Sequence, residues 1–244
     1  MSEKAIEIVN LHKRFGEVKA LDGLSFTVRT REIYGLIGPN GAGKTTALRI
    51  LATLIKPSAG SARIFNLDVE RNPNEIRRII SYLPEEAGAY KNLSGLEYLE
   101  FMAAFYFTNR EEARKSIMEA ASISGLGERL KDKVKTYSKG MTRRLLIARA
   151  LMTKPRLAIL DEPTSGLDII HAHHIRRIIQ NYVKEHEVTV LLSSHNMLEV
   201  EFLCTRVALI NQGRILVEGT PNEIKSRYGV ENLEEAFLEA TRSA

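Results

Sequence analysis

Eight residues, Gly38-Pro39-Asn40-Gly41-Ala42-Gly43-Lys44-Thr45, leave this chain few ways to fold. They fit the pattern G-x-x-x-x-G-K-[ST], which carries meaning only between a strand and a helix. Both neighbours are in place. Residues 33–37 form a short apolar run, and beyond Lys44 the side chains Leu48, Leu51, Ala52 and Ile55 fall on one face of a helix predicted over 44–55. Glycines let the backbone curl until successive N–H groups aim at one anion, and the helix N-terminus adds a favourable potential. Lys44 is then placed to reach the β- and γ-phosphates of a nucleotide, and the Thr45 hydroxyl to ligate Mg²⁺. The candidate phosphate-binding set runs from Gly38 through Thr46.

The rest of the chain alternates short β-branched runs with helical patterns. Runs at 6–9, 33–37, 79–83, 157–160 and 188–193 mostly lack polar alternation, as strands buried on both faces of a parallel sheet do. Runs at 207–210 and 214–217 flank Asn211-Gln212-Gly213 and predict a hairpin. From 94 to 153 no strand pattern occurs. There, Ser94 and Glu97 form a capping box ahead of an apolar run ending at Phe107, a second helix is expected over 111–122, and a third near Thr142. The same start signal recurs at Thr220-Pro221-Asn222-Glu223, before a segment with Leu233, Ala236, Phe237 and Ala240 on one face. The expected fold is α/β: a P-loop core with a mainly parallel sheet, a small antiparallel β part and an inserted helical subdomain. Residues 1–244 are read as one domain, with the core over 1–84 and 155–220, the helical insert over 85–154 and a C-terminal helical extension over 221–244.

Composition narrows the partners. The hydrophobic fraction of 44% and charged fraction of 27% are those of an ordinary globular protein. The net charge of +5 is scattered rather than gathered in a basic run, so no nucleic-acid partner is expected. A single cysteine, Cys204, excludes an internal disulfide and fits a reducing compartment; among Phe202, Leu203 and Val207 it reads as packing. No apolar run approaches the length of a membrane span or signal peptide, so membrane contact is expected through a partner or a surface patch.

The run at 157–160 ends in Asp161-Glu162. Ligands of parallel sheets sit at the carboxyl ends of the strands, so both carboxylates should face the phosphates. Asp161 suits the magnesium shell, and Glu162 suits a base that orients and polarises an attacking water. Between the two motifs, Tyr137-Ser138-Lys139-Gly140-Met141 opens a helix expected over 142–151.

That arrangement resembles the signature motif of ATP-binding-cassette (ABC) ATPases, usually written LSGGQ, and the motifs stand in that family's order along essentially the whole chain. The resemblance implies an ATPase using ATP and Mg²⁺, in which the signature Ser and Gly contact the γ-phosphate held by the opposite subunit. The matching residues are Ser138 and Gly140, at a helix start that favours anions. Lys139 replaces the usual first Gly and Met141 the usual Gln. Phe15 matches the aromatic that stacks on adenine, Asp168 in Ser165-Gly166-Leu167-Asp168 matches the loop at the dimer seam, and His195 matches the switch histidine that joins Lys44 and Glu162 in catalysis. Ile169 replaces a proline common after that Asp. Glu85, in Tyr82-Leu83-Pro84-Glu85-Glu86, takes the place of a family Gln. A carboxylate there accepts hydrogen bonds from metal-bound water and donates none unless protonated, so Glu85 is expected beside the nucleotide and the metal with Thr45 and Asp161.

The same motifs, together with the tail Asn232-Leu233-Glu234-Glu235-Ala236-Phe237, are similar to export ATPases of bacteria and archaea. This implies a homodimer, or a heterodimer with a second ABC ATPase, at the cytoplasmic face of the membrane, bound there through a separate transmembrane permease. Most aromatics between Tyr90 and Phe107 are expected to pack inside the insert, with Tyr90 and one or two residues of 93–101 lining a groove for the permease. His171, His173 and His174 are read as surface residues rather than metal ligands.

Overall fold

No charged residue interrupts Ile33–Ile37 (β3), and all five of its residues are buried. Leu157–Asp161 (β7) and Thr189–Ser194 (β8) are equally inaccessible. The computed structural model describes residues 3–243 and sets these strands at the centre of a six-stranded sheet. Its order is β10 (Arg214–Gly219), β9 (Arg206–Asn211), β3, β8, β7, β6 (Ile80–Leu83). Every neighbouring pair is parallel except the β9–β10 hairpin, whose turn uses Gln212 and Gly213 at φ 47° and 77°. Side chains alternate across such a strand. Ile33 and Ile37 therefore join one core and Tyr34 and Leu36 the other; Ala158 and Leu160 divide from Leu157 and Ile159 in the same way.

The second core is closed by a four-stranded antiparallel sheet ordered β2 (Val18–Arg29), β1 (Lys4–Phe15), β4 (Ala59–Ile64), β5 (Leu67–Asp68). Helix α1 (Lys44–Leu51) lies in that core, with Ala47, Leu48, Ile50 and Leu51 buried. It stops four residues short of the expected end. Thr53 turns to φ 59°, and its hydroxyl and carbonyl oxygens are taken by Arg77 of α2 (Pro73–Ile79), so the apolar period outlasts the helix.

Between β6 and β7 stand α3 (Gly95–Ala103), α4 (Arg110–Ser124) and α5 (Lys139–Leu151). The capping box at α3 forms: Ser94 accepts from the Glu97 N–H and Glu97 from the Ser94 N–H. Helix α5 begins at Lys139 rather than near Thr142, because the Ser138 side chain already accepts the Met141 N–H. After β7 come α6 (Ile169–His186) and, beyond β8, α7 (Met197–Leu203); α8 (Pro221–Tyr228) opens on the expected Thr220–Glu223 box, and α9 (Leu233–Arg242) buries Leu233, Ala236 and Ala240. Among the described residues no helix is long and apolar enough to cross a membrane. Cys204 is buried, its sulfur filling space left by Gly35.

Parallel β3, β6, β7 and β8 release four loops at one edge of the sheet: 38–43, the stretch from Pro84, the stretch from Glu162, and the stretch from His195.

Candidate nucleotide site

The loop after β3 is shaped by its glycines. Gly41 and Gly43 hold φ 80° and 104°, and Gly43 caps α1 in that left-handed conformation. Gly38 has no room for a side chain, since a Cβ would lie 2.1 Å from the Ile210 carbonyl oxygen. Lys44 folds back into the curl. Its Nζ donates to the carbonyls of Gly38 at 2.7 Å and Pro39 at 3.2 Å, and lies 3.3 Å from Glu162 Oε1.

Asp161 is buried and holds three hydroxyls: Ser193 at 2.6 Å and Thr45 at 3.1 Å donate to Oδ1, and Tyr82 at 3.4 Å to Oδ2. Burial, and then the Asp161 carboxylate beside it, push the Tyr82 phenol above its ordinary pKa, so it stays a protonated donor. Glu162 leaves the strand at φ 48°, a left-handed conformation that an L-residue takes only at a cost of about 1–2 kcal/mol. Its N–H donates to Ser193 Oγ at 3.0 Å. Glu162 Oε2 lies 2.8 Å from His195 Nδ1 and accepts the His195 N–H at 3.3 Å. Oε1 is buried with no hydrogen-bond partner, its charge balanced by the Lys44 ion pair. Lys44, Thr45, Asp161, Glu162 and His195, expected to share a site, thus lie together.

A cavity of about 300 Å³ over this cluster is lined by Phe15, the loop from Asn40 to Thr46, Glu85 and Glu162. Phe15 is half exposed, with the Lys13 ammonium 4.9 Å from its ring centre. Glu85 reaches the cavity wall, and its carboxylate accepts the Ser165 hydroxyl at 3.1 Å. Among the described residues no group of three or more His, Cys, Asp or Glu side chains gathers as a metal site. The hard oxygens of Thr45 and Asp161, side by side, do fit a Mg²⁺ that takes its remaining ligands from phosphate and water.

Ser138, Gly140 and Asp168 do not line that cavity. They lie instead where the start of α5 meets the start of α6 and the loop before it. A Cβ on Gly140 would come within 2.4 Å of the His171 ring, and one on Gly166 within 2.1 Å of Lys139 Nζ. Asp168 caps α6 by accepting the His171 N–H at 2.9 Å, which holds its carboxyl below the usual range. His171 is therefore half-buried against the signature glycine, not the surface residue expected, because its ring fills the space that Gly140 leaves; its Nδ1 is buried without a partner. His173 and His174 are exposed, as expected.

Sequence reasoning missed three side chains that organise the site: Ser193, Tyr82 and Arg143. Ser193 could have been found from register, because it sits opposite Asp161 across β7–β8. Arg143 carries no such signal, since a cation near a helix start ordinarily points to solvent.

A family model described as ABC transporter matches residues 21–165. Over 98% of its length the chain is 37% identical to the linearmycin resistance ATP-binding protein LnrL of Bacillus subtilis, spanning 79% of that protein. Over 93% it is 40% identical to the daunorubicin/doxorubicin resistance ATP-binding protein DrrA of Streptomyces peucetius, spanning 68% of it. Among solved structures, the fold matches the dimeric post-hydrolysis state of the ATP-binding cassette MJ0796 bound to ADP and Pi, with a TM-score of 0.78 and 27% identity over 88% of this chain and 98% of that one. With a phosphate loop, a paired Asp-Glu strand end and a signature helix start all in this frame, the chain belongs to the ABC transporter family and is an ATP-binding, ATP-hydrolysing subunit homologous to resistance ATP-binding proteins.

Proposed function

We propose that this subunit hydrolyses MgATP between two copies of itself, or between itself and a second ABC ATPase, and so powers a separate exporter permease at the cytoplasmic face of the membrane. The observation that carries the reading is the buried contact of Glu162 with Lys44 on one carboxylate oxygen and His195 on the other. Lys44 holds phosphate, Glu162 orients and deprotonates the attacking water, and His195 steadies the Glu162 carboxylate and meets the γ-phosphate. Thr45 and Asp161 would hold Mg²⁺, which would supply neutralisation of the charge on the transferring phosphoryl group. Phe15 stacks on the adenine, and Glu85 lines the site on the side of the helical insert.

In this reading the working parts are a core over 1–84 and 155–220, a helical part over 85–154 and an extension over 221–244. Ser138 and Gly140, set apart from their own chain's cavity, serve the nucleotide of the second subunit, with Asp168 at the seam. MJ0796, a structural neighbour, is dimeric, which supports this arrangement. The resistance proteins among the relatives support export as the direction of transport.

Glu162→Gln tests the base. It removes the carboxylate while keeping the shape, so ATP affinity should hold while hydrolysis slows by at least ~100-fold. A Glu162→Gln subunit that turns over at the wild-type rate would remove Glu162 from this role.

A further inference from the structure

Arg143 lies one turn into α5 and is only 8% exposed. Its five hydrogen bonds run to main-chain oxygens rather than to a carboxylate. Nη2 donates to the carbonyls of Asp161 at 2.7 Å and Glu162 at 2.9 Å, and Nε to that of Pro163 at 2.9 Å. Nη1 donates to the carbonyls of Pro84 and Glu85, both at 3.1 Å. Three consecutive carbonyls, from the last residue of β7 onward, thus turn toward one guanidinium, and this is the stretch in which Glu162 takes its left-handed φ of 48°. The other two belong to the loop after β6 that presents Glu85. A fixed planar fork can serve two loops at once, whereas a lysine ammonium, with three hydrogens on one atom, cannot span them.

We propose that Arg143 is a positioning residue for hydrolysis: it clamps the backbone of Glu162 so that the carboxylate faces Lys44 and His195, and ties that backbone to the Glu85 loop and to the signature helix. The proposal rests on the reading of Glu162 as the base. Arg143 does not line the cavity over the phosphate loop, and its hydrogen bonds go to main-chain oxygens of the site residues rather than to their side chains. It acts because the left-handed turn is costly by itself and needs acceptors held on one side. Through α5 the same guanidinium links the residues that would meet the second subunit's nucleotide, Ser138 and Gly140, to the residue that would fire on this one.

Arg143→Lys and Arg143→Gln, each made alone and with Glu162→Gln, provide the test. The readouts are kcat and KM for MgATP hydrolysis, the Kd for a fluorescent ATP analogue, and thermal unfolding. Misplacing the base should lower kcat of Arg143→Lys by ~10-fold or more while KM and the analogue Kd stay within about twofold. Arg143→Gln should lose more, with the lysine variant a partial rescue. Because Arg143 acts through Glu162, adding Arg143→Lys to Glu162→Gln should cost little further rate. Wild-type kcat in Arg143→Lys overturns the proposal, as do losses that multiply in the double variant. Loss of folding in both single variants also overturns it, since Arg143 would then hold the fold and not the loop. Wild-type kcat in Glu162→Gln alone would instead defeat the reading of the base, separately from the Arg143 results.

Discussion

Gly140 shows how one atom connects the signature to its surroundings. In a helix, Gly→Ala ordinarily stabilises by about 0.5–1 kcal/mol. Here the new Cβ would meet the His171 ring at 2.4 Å, and overpacking of that kind costs about 1–3 kcal/mol. The start of α5 must then shift against α6. We expect Gly140→Ala to lower ATP hydrolysis by ~10-fold or more, and His171→Ala added to it to restore most of the rate by making room. If the second change restores nothing, the ring contact is not why a glycine stands there. Single residues were legible from sequence only in part. Lys44, Asp161 and Glu162 could be placed from sequence because the two acids sit at the end of β7 and Lys44 closes the loop that leaves β3, where a parallel sheet gathers its loops. Arg143 and His171 could not, because their contacts cross between α5, α6 and loops far away in the chain, and no local spacing encodes that.

At the scale of elements, start signals were more legible than stop signals. Ser94 with Glu97, and Thr220 with Glu223, close their boxes within four residues, so the chemistry is local. The end of α1 is fixed instead by Arg77 reaching in from α2. Helix α3 departs from expectation on its surface. Of its neighbourhood's aromatics Tyr98 is buried, whereas Tyr90, Phe101, Phe105 and Tyr106 are exposed, so most do not pack inside the insert. Three of them form a ladder: Tyr90 meets Phe101 edge-on with centroids 5.2 Å apart, and Phe101 meets Phe105 likewise at 5.2 Å. Helix periodicity gave no reason to expect it, because it places an apolar stripe but does not say what covers it. An exposed aromatic ladder beside the Glu85 loop suits a partner that buries an anchor there. Tyr90→Asp loads charge onto that face and leaves the nucleotide cluster untouched. It should abolish stimulation by the permease while basal ATPase activity stays within about twofold. Equal permease-stimulated rates in the variant and the wild type would contradict docking at this face, and loss of both rates would assign Tyr90 to packing.

For the whole molecule, the division of labour follows from topology. The parallel sheet brings four loops to one edge and builds half a site from strand ends, while the insert between β6 and β7 carries the signature away from that half. The order of motifs along the chain made this arrangement legible in outline. The antiparallel sheet was harder to see, because the β1–β2 hairpin is interrupted by repeated register shifts and β4 pairs with β1 across a long stretch of sequence. On the proposed function, a subunit so built completes its site only with a second signature, and mixed dimers test that directly. Lys44→Ala disables the phosphate loop and Ser138→Arg the signature, so each homodimer should be inactive. In a mixed dimer with signatures acting in trans, both lesions fall in one composite site and the other is intact. Mixing the two inactive subunits at equal amounts should then restore hydrolysis to roughly a quarter of the wild-type rate, if pairing is random and the sites fire independently. Absence of any recovery at every mixing ratio, with mixed dimers shown to form, would contradict the account.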